Sequence, residues 1–149
     1  MQSILFIVNP ISGSGRKDAA LKAVEHYLDR DRFAAEIRNT EYAGHGAEIA
    51  REAAARGVDI VVAVGGDGTV NEIAGSLVDT ETALAIIPCG SGNGLARHLQ
   101  IPMDPVAAVK VINTAAIVRL DHGTINGRPF FCTCGVGFDA FISMKFAEA

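Results

Sequence analysis

The stretch Asp59–Glu72, which reads DIVVAVGGDGTVNE, constrains the fold more than any other part of the chain. Its first half is apolar and rich in β-branched residues, as a strand buried on both faces is. Gly65, Gly66 and Gly68 then form a turn with almost no side chains, and Thr69 opens a predicted helix. A strand, a glycine turn and a helix in this order favour phosphate binding, because glycine lets the backbone approach a ligand and N–H groups at a helix start attract anions.

Two interpretations of this turn stay open from the residues alone. Thr69 and Glu72 have the spacing of a capping box, and three glycines also suit an ordinary tight turn. Asp67 favours a functional role, since packing gives little reason for a carboxylate between glycines at the mouth of a buried strand. It is a candidate to hold a metal ion or to orient a phosphate chain through one.

Two further loops of similar character follow predicted strands. Ser3–Val8 is a predicted buried strand, and the loop after it combines glycines, serines, Arg16 and Lys17. Ala83–Ile87 is a short apolar strand, and Pro88–Gly94 after it reads PCGSGNG. The first loop equally suits a flexible solvated segment, and it lacks the spacing of a P-loop. Because the carboxyl ends of parallel strands share one edge, we expect the three loops to converge there.

The rest of the first 120 residues continues the alternation of strands and helices. Phe33, Ala35 and Ile37 alternate with polar residues, which predicts a strand with one wetter face. Asp104 and Pro105 mark a helix start, with a cap followed by proline at the first helical position. Four such units joined by short loops predict an α/β fold, a three-layer sandwich with a mainly parallel sheet.

Composition excludes several classes of protein. The 149 residues carry a net charge of −4 and no run of lysine or arginine, which argues against a nucleic-acid surface. Cys89, Cys132 and Cys134 form no zinc-type cluster and are typical of reduced thiols in a cytoplasmic protein. The apolar run Ile4–Val8 is too short for a signal peptide or a membrane span, so we expect any membrane contact to be peripheral.

The motif GGDGTVNE resembles the signature of the diacylglycerol kinase-type catalytic domain, a lipid kinase family that includes sphingosine kinases and bacterial diacylglycerol kinases. The first loop is similar to the family's NP-x-SG motif. The loop Pro88–Gly94 is similar to its P-x-G-[ST]-x-N-[DA] motif, with Gly94 where many diacylglycerol kinases have an acid. This difference leans toward the sphingosine-kinase style of loop. NAD kinases share the GGDG core.

The resemblance implies a kinase that transfers the γ-phosphate of ATP to a lipid hydroxyl at the membrane surface, with Mg²⁺ as companion of ATP. It implies ATP contacts from Asn9, Ser12, Gly13, Thr40, Gly65, Gly66, Asp67, Gly68, Thr69, Val70, Asn71, Glu72, Ser91, Gly92 and Asn93. Asp67 is also a candidate catalytic residue, with the main catalytic base expected outside this chain. An NAD-kinase-like enzyme with a soluble acceptor and a non-catalytic nucleotide-binding module are the alternatives.

After residue 120 the alternation of strands and helices gives way to a pattern typical of antiparallel strands. This change predicts a nucleotide-binding domain at 1–120 and the beginning of a truncated, mostly β domain at 121–149. We expect strands at Ala116–His122 and Phe131–Val136, a hairpin turn at Asn126-Gly127 and a last short helix. The resemblance reaches Asp121, Gly123 and the motif at Gly137, Phe138, Asp139 and Ala140. It covers nearly all of the chain but only about half of a family member. We therefore expect no kinase activity from the chain alone, and homo-oligomers through its aromatic C-terminal segment.

Overall fold

The computed structural model describes residues 1–10 and 15–148, without the side chains of residues 139 and 146–148. The main sheet contains β1 (Gln2–Val8), β2 (Phe33–Asn39), β3 (Ile60–Gly65) and β4 (Ala83–Pro88). The helices among them are α1 (Arg16–Tyr27), α2 (His45–Ala55), α3 (Asp67–Leu77), α4 (Gly94–His98) and α5 (Pro105–Thr114). A small sheet of β5 (Gly123–Ile125) and β6 (Arg128–Phe130) follows, and then α6 (Phe138–Glu148).

The main sheet is parallel throughout, in the order β2-β1-β3-β4. β1 and β3 occupy its centre, and every residue of β3 is buried. This position explains the apolar runs Ile4–Val8 in β1 and Ile60–Gly65 in β3, because helices cover the two faces of a central parallel strand. The predicted α/β class with a mainly parallel sheet is confirmed.

Alternate residues of the central strands feed two separate cores. Phe6 and Val62 pack in a cluster with buried residues of α1 and α5, whereas Ile7 and Ala63 pack in a cluster with buried residues of α2 and α3. The period of two along a strand sends neighbouring side chains to opposite faces. The molecule is therefore a three-layer sandwich, as predicted.

α3 begins earlier than the sequence predicted. We expected the helix to open at Thr69, but α3 starts at Asp67, with Gly66 as N-cap and no side chain capping it. The predicted capping box of Thr69 and Glu72 is therefore wrong, because Thr69 already lies inside the first turn. The cap predicted for α5 is confirmed, since Asp104 accepts a hydrogen bond from the backbone N–H of Ala107 at 2.8 Å.

The segment after α5 matches the prediction only in part. The hairpin is present, with Asn126 and Gly127 at positive φ between β5 and β6. The strands predicted at Ala116–His122 and Phe131–Val136 are wrong, since neither range contains strand residues. Within the described chain β5 pairs only with β6, and an apolar sequence without a partner strand does not form a ladder. Ile117, in the first of these two ranges, is therefore not covered by a sheet and is 68% exposed to solvent.

None of the helices in the described part of the chain combines the length and the apolar character needed to cross a membrane.

Candidate functional site

A cavity of about 440 Å³ lies where β1, β2 and β3 end. Its walls combine the glycine turn after β3 with the segment that joins β2 to α2. The residues that line it are Asn9, Thr40, Glu41, Tyr42, Ala43, Gly46, Gly66, Gly68, Thr69 and Glu72. The carboxyl edge of a parallel sheet is the usual ligand position in such folds, and the volume suits a small molecule.

Hydrogen bonds join the strand ends at the base of the cavity. The backbone N–H of Thr40 donates to Val8 at 2.8 Å, and that of Asn9 donates to Val64 at 3.2 Å. The side-chain amide of Asn9 also donates to the hydroxyl oxygen of Thr69 at 3.2 Å. Asn9, which follows β1, and Thr69, in the first turn of α3, thus bind one another, and both are predicted to contact ATP.

The three glycines of the turn serve different needs. A Cβ on Gly65 would lie 2.7 Å from Cβ of Thr69, so the packing of the turn requires glycine there. A Cβ on Gly66 would lie 3.3 Å from Cα of Gly90, in the loop after β4. A Cβ on Gly68 would meet nothing within 4 Å, although this residue lines the cavity. Gly68 therefore borders space that the protein leaves open.

The N-terminus of α3 faces this turn without a side-chain cap. The first N–H groups of a helix have no partner inside the helix, and the helix dipole adds positive potential at that end. An anion beside Gly66 and Gly68 would receive both contributions. This arrangement suits phosphate groups.

Asp67 connects the glycine turn with the loop after β4. Its carboxylate accepts the backbone N–H of Asn93 at 2.8 Å and that of Gly94 at 2.6 Å. Both donors stand at the start of α4, so Asp67 caps that helix from another element. The sequence did not predict this positioning role, and the candidate catalytic role of Asp67 stays a prediction.

The structure offers a poor fit for a metal ion held by side chains alone. Among the described residues, no three histidines, cysteines or carboxylates lie together in a group that could hold one. Both carboxylate oxygens of Asp67 already accept backbone N–H groups. A magnesium ion here would depend on oxygens of a bound ligand and of water.

The loop after β4 is held by its own asparagine. Asn93 is only 2% exposed and has a positive φ of 55°. Its side-chain oxygen accepts the N–H of Gly90 at 3.1 Å, and its amide donates to the carbonyl of the same residue. Arg16 also donates to that carbonyl, at 3.2 Å. The side chain of Asn93 thus shapes the loop from within, while Ser91 is exposed on it.

The predicted ATP contacts divide into three groups. Six of them line the cavity: Asn9, Thr40, Gly66, Gly68, Thr69 and Glu72. Seven do not line it: Gly65, Asp67, Val70, Asn71, Ser91, Gly92 and Asn93. Ser12 and Gly13 lie outside the described residues. Val70 is 5% exposed and its side chain belongs to the core, so any ligand contact from it would come from the backbone.

Glu72 has a second role in the structure, which the sequence did not indicate. Its carboxylate accepts the backbone N–H of Ala47 at 3.0 Å, in the first turn of α2. Glu72 therefore caps the helix that forms the opposite wall of the cavity. A Cβ on Gly46 would approach this carboxylate to 3.0 Å, which explains the small residue there.

Sequence reasoning missed four lining residues, namely Glu41, Tyr42, Ala43 and Gly46. Glu41, Tyr42 and Ala43 follow Thr40 directly, and Gly46 lies in the first turn of α2. An aromatic residue in an otherwise small and polar loop was the available signal. Tyr42 is 54% exposed and stacks on His45, with ring centroids 4.5 Å apart. Its hydroxyl donates to Glu48 at 2.6 Å, and this hydrogen bond raises the pKa of Tyr42.

The chain has a parallel sheet between layers of helices, with glycine-rich turns at the carboxyl edge of the sheet. α/β domains of this class bind their ligands at that edge. Residues 3–125 match the model of the family described as diacylglycerol kinase catalytic domain. The chain belongs to this family.

Its relatives carry names of the same kind. It is 39% identical over 134 residues to the "probable lipid kinase YegS-like" of Chromohalobacter salexigens, covering 85% of this chain and 43% of the relative. It is 36% identical over 141 residues to a diacylglycerol kinase of Bacillus subtilis, covering 92% and 46%. A crystal structure of a diacylglycerol kinase from Bacillus anthracis aligns with a TM-score of 0.76 at 30% identity, covering 87% and 48%. The chain thus spans about half the length of the relatives that it matches.

Proposed function

We propose that this chain is the ATP-binding part of a lipid kinase, which transfers the γ-phosphate of ATP to a hydroxyl group of a lipid. The observation that carries the proposal is the cavity at the carboxyl edge of the sheet, whose lining includes Asn9, Thr40 and the glycine turn. Membership of the diacylglycerol kinase family supports the reaction, and the names of the relatives support a lipid acceptor.

The phosphates of ATP lie against Gly66 and Gly68 in this proposal. The N-terminus of α3 supplies N–H donors and positive potential there, and the open space at Gly68 leaves a path for the phosphate chain. Phosphoryl transfer depends mainly on positioning and on neutralising charge, which backbone donors provide without large movements. Ser91 and Gly92 stand on the adjoining loop, and we propose that they approach the same phosphates.

Mg²⁺ accompanies ATP in this proposal and neutralises charge on its phosphates. Asp67 is the candidate to orient the hydrated ion, although its first function in the fold is to hold the start of α4. The main catalytic base lies outside this chain, so the 149-residue chain binds ATP without turning it over. The acceptor is a lipid alcohol, reached by peripheral contact with a membrane surface.

Calorimetric titration of the 149-residue chain with MgATP and, separately, with NAD tests the assignment. We expect binding of MgATP and no binding of NAD. The absence of MgATP binding would overturn the proposal, and tight binding of NAD would favour an NAD-kinase-like enzyme.

A transfer assay with γ-labelled ATP and mixed micelles of diacylglycerol or sphingosine tests the catalytic half. We expect no labelled lipid from this chain. Steady formation of labelled lipid would refute the need for a base outside the chain while establishing the lipid kinase activity itself.

A further inference from the structure

We infer that Tyr42 is the platform on which the nucleotide base stacks, and that its ring makes the site prefer purine over pyrimidine nucleotides. This inference rests on the proposed function, since it assigns the base end of the proposed ATP site. It starts from an aromatic side chain that lines the cavity while remaining 54% exposed. An aromatic ring half-exposed to water at a cavity wall has unused apolar surface.

The ring is held in place before any ligand arrives. One face stacks on the imidazole of His45, with centroids 4.5 Å apart and planes inclined by 3°. The hydroxyl donates to Glu48 at 2.6 Å. His45 is fixed in turn, because its Nδ1 accepts the backbone N–H of Glu41 at 3.1 Å. A side chain fixed at both ends loses little conformational freedom on binding, so a stacking ligand gains more of the contact energy.

The chemistry of the cavity gives the nucleotide its direction. Its glycine turn, at Gly66 and Gly68, suits phosphate because of the N-terminus of α3. The lining contributed by the segment after Thr40 is instead one carboxylate, Glu41, beside an aromatic and two small residues, with no lysine or arginine among them. A nucleoside triphosphate has one polyanionic end and one flat aromatic end, and only one orientation matches both walls.

Stacking on an aromatic ring is worth about a tenfold change in affinity for one base, and it depends on the area of overlap. A purine covers more of a phenol ring than a pyrimidine does. Stacking on Tyr42 therefore predicts a higher affinity for MgATP than for MgCTP, and this difference depends on the Tyr42 ring.

The chain offers a direct probe, because it contains two tyrosines and no tryptophan. In a Tyr27→Phe background Tyr42 is the sole tyrosine. Tyr27 lies outside the cavity, and the phenylalanine keeps the ring that faces Lys110. Tyrosine fluorescence, corrected for absorption by the nucleotide, is recorded during titration with MgATP and with magnesium tripolyphosphate. We expect quenching by MgATP only, because tripolyphosphate has no base.

Calorimetry on Tyr42→Ala and Tyr42→Phe in the full 149-residue chain completes the test. We expect Tyr42→Ala to weaken MgATP about tenfold, to reduce the preference over MgCTP and to leave tripolyphosphate binding unchanged. Tyr42→Phe retains the ring without the bond to Glu48, so we expect it to lose less affinity for MgATP than Tyr42→Ala does and to keep the preference over MgCTP. Circular dichroism checks that both variants are folded.

The outcomes separate this inference from the function on which it rests. Wild-type affinity for MgATP in Tyr42→Ala, or an equal loss for MgATP and tripolyphosphate, would overturn the platform and leave the ATP site standing. A wild-type chain that binds neither ligand would overturn the ATP site, and the platform with it.

Discussion

The carboxylate of Asp67 accepts the backbone N–H of Gly94 at 2.6 Å, and this contact joins the start of α3 to the start of α4. Gly94 has no room for a side chain, since a Cβ there would lie 2.6 Å from the sulfur of Cys132. A Cβ on Gly92 would likewise lie 2.5 Å from the Asp67 carboxylate. The glycines of the loop after β4 are thus fitted around Asp67.

This relationship predicts the effect of Asp67→Asn. A carboxamide has one acceptor oxygen, so it can accept only one of the two N–H groups well and turns its own NH₂ toward the other. We expect the free energy of unfolding to fall by about 1–2 kcal/mol. We also expect MgATP binding to weaken, because the loop bearing Ser91 loses its anchor. Urea unfolding and calorimetry measure the two effects.

Asp79→Asn is the matched control for that substitution. Asp79 is exposed in a turn at positive φ, where asparagine is well tolerated. We expect no change in either quantity. If Asp67→Asn behaved like this control, the carboxylate would not anchor the loop after β4.

Gly68 provides the cleanest test of the phosphate path. A side chain at this position meets no protein atom within 4 Å, and the residue lies in the first turn of α3, where a negative charge favours the helix. Gly68→Asp should therefore leave the fold intact and still abolish MgATP binding through repulsion of the phosphates. Calorimetry measures binding, and thermal unfolding measures stability.

Gly68→Ala separates bulk from charge in this test. It adds a methyl group without a charge, and we expect a smaller loss of affinity with equal or higher stability. Gly66→Asp is a less selective variant, because its side chain would also press on Gly90. Unchanged MgATP affinity in Gly68→Asp would remove the glycine turn from the site.

The sequence was sufficient for the architecture because burial determines the pattern of the central strands. β1 and β3 lie between two layers of helices, and this burial is visible in the sequence as apolar runs. Hydrogen bonds between residues far apart in the chain produce no comparable sequence pattern. The hydroxyl of Thr69 accepts from Asn9 instead of capping its own helix, and the pairing of these residues depends on the order of the strands.

The contribution of the loop between β2 and α2 to the cavity was not predicted, for a related reason. Its residues have no periodic pattern, and the stacking of Tyr42 on His45 depends on a turn of the backbone that composition does not specify. The strands expected at Ala116–His122 and Phe131–Val136 failed because β propensity is realised only beside a partner strand.

A pH dependence of stability follows from Asp59, which directly precedes β3. The hydroxyl and the backbone N–H of Ser3 both donate to its carboxylate at 2.7 Å, and these bonds lower the pKa of Asp59. A lowered pKa in the folded state stabilises the fold above the pKa of the unfolded chain. This contribution is lost as the pH falls through the folded-state pKa.

Ser3→Ala tests this contribution. It removes a hydroxyl that donates to the Asp59 carboxylate and also accepts the backbone N–H of Asp59 at 3.0 Å. Because only the first of these bonds depends on the charge of Asp59, we expect the variant to be less stable than the wild type at pH 7 and the difference to become smaller as the pH falls toward 3. Urea unfolding across this range gives the difference. A difference that stayed constant over the whole range would show that the hydroxyl does not act through the charge of Asp59.

The C-terminal segment predicts self-association. Val136, Phe138 and Phe141 are 78%, 75% and 51% exposed, and such a group of apolar residues is rarely left in water. We expect the chain to form homo-oligomers that dissociate when it is trimmed near Asp121. Light scattering at high concentration measures the mass of both forms. A monodisperse monomer of the 149-residue chain would contradict this prediction.

The position of the nucleotide is the central claim, and amide chemical shifts of the ¹⁵N-labelled chain during a MgATP titration test it most directly. The account predicts saturable shifts concentrated at Gly66, Gly68, Thr69 and Tyr42, with small changes at the opposite edge of the sheet near Ser3. Saturable shifts elsewhere, with the glycine turn unaffected, would contradict it.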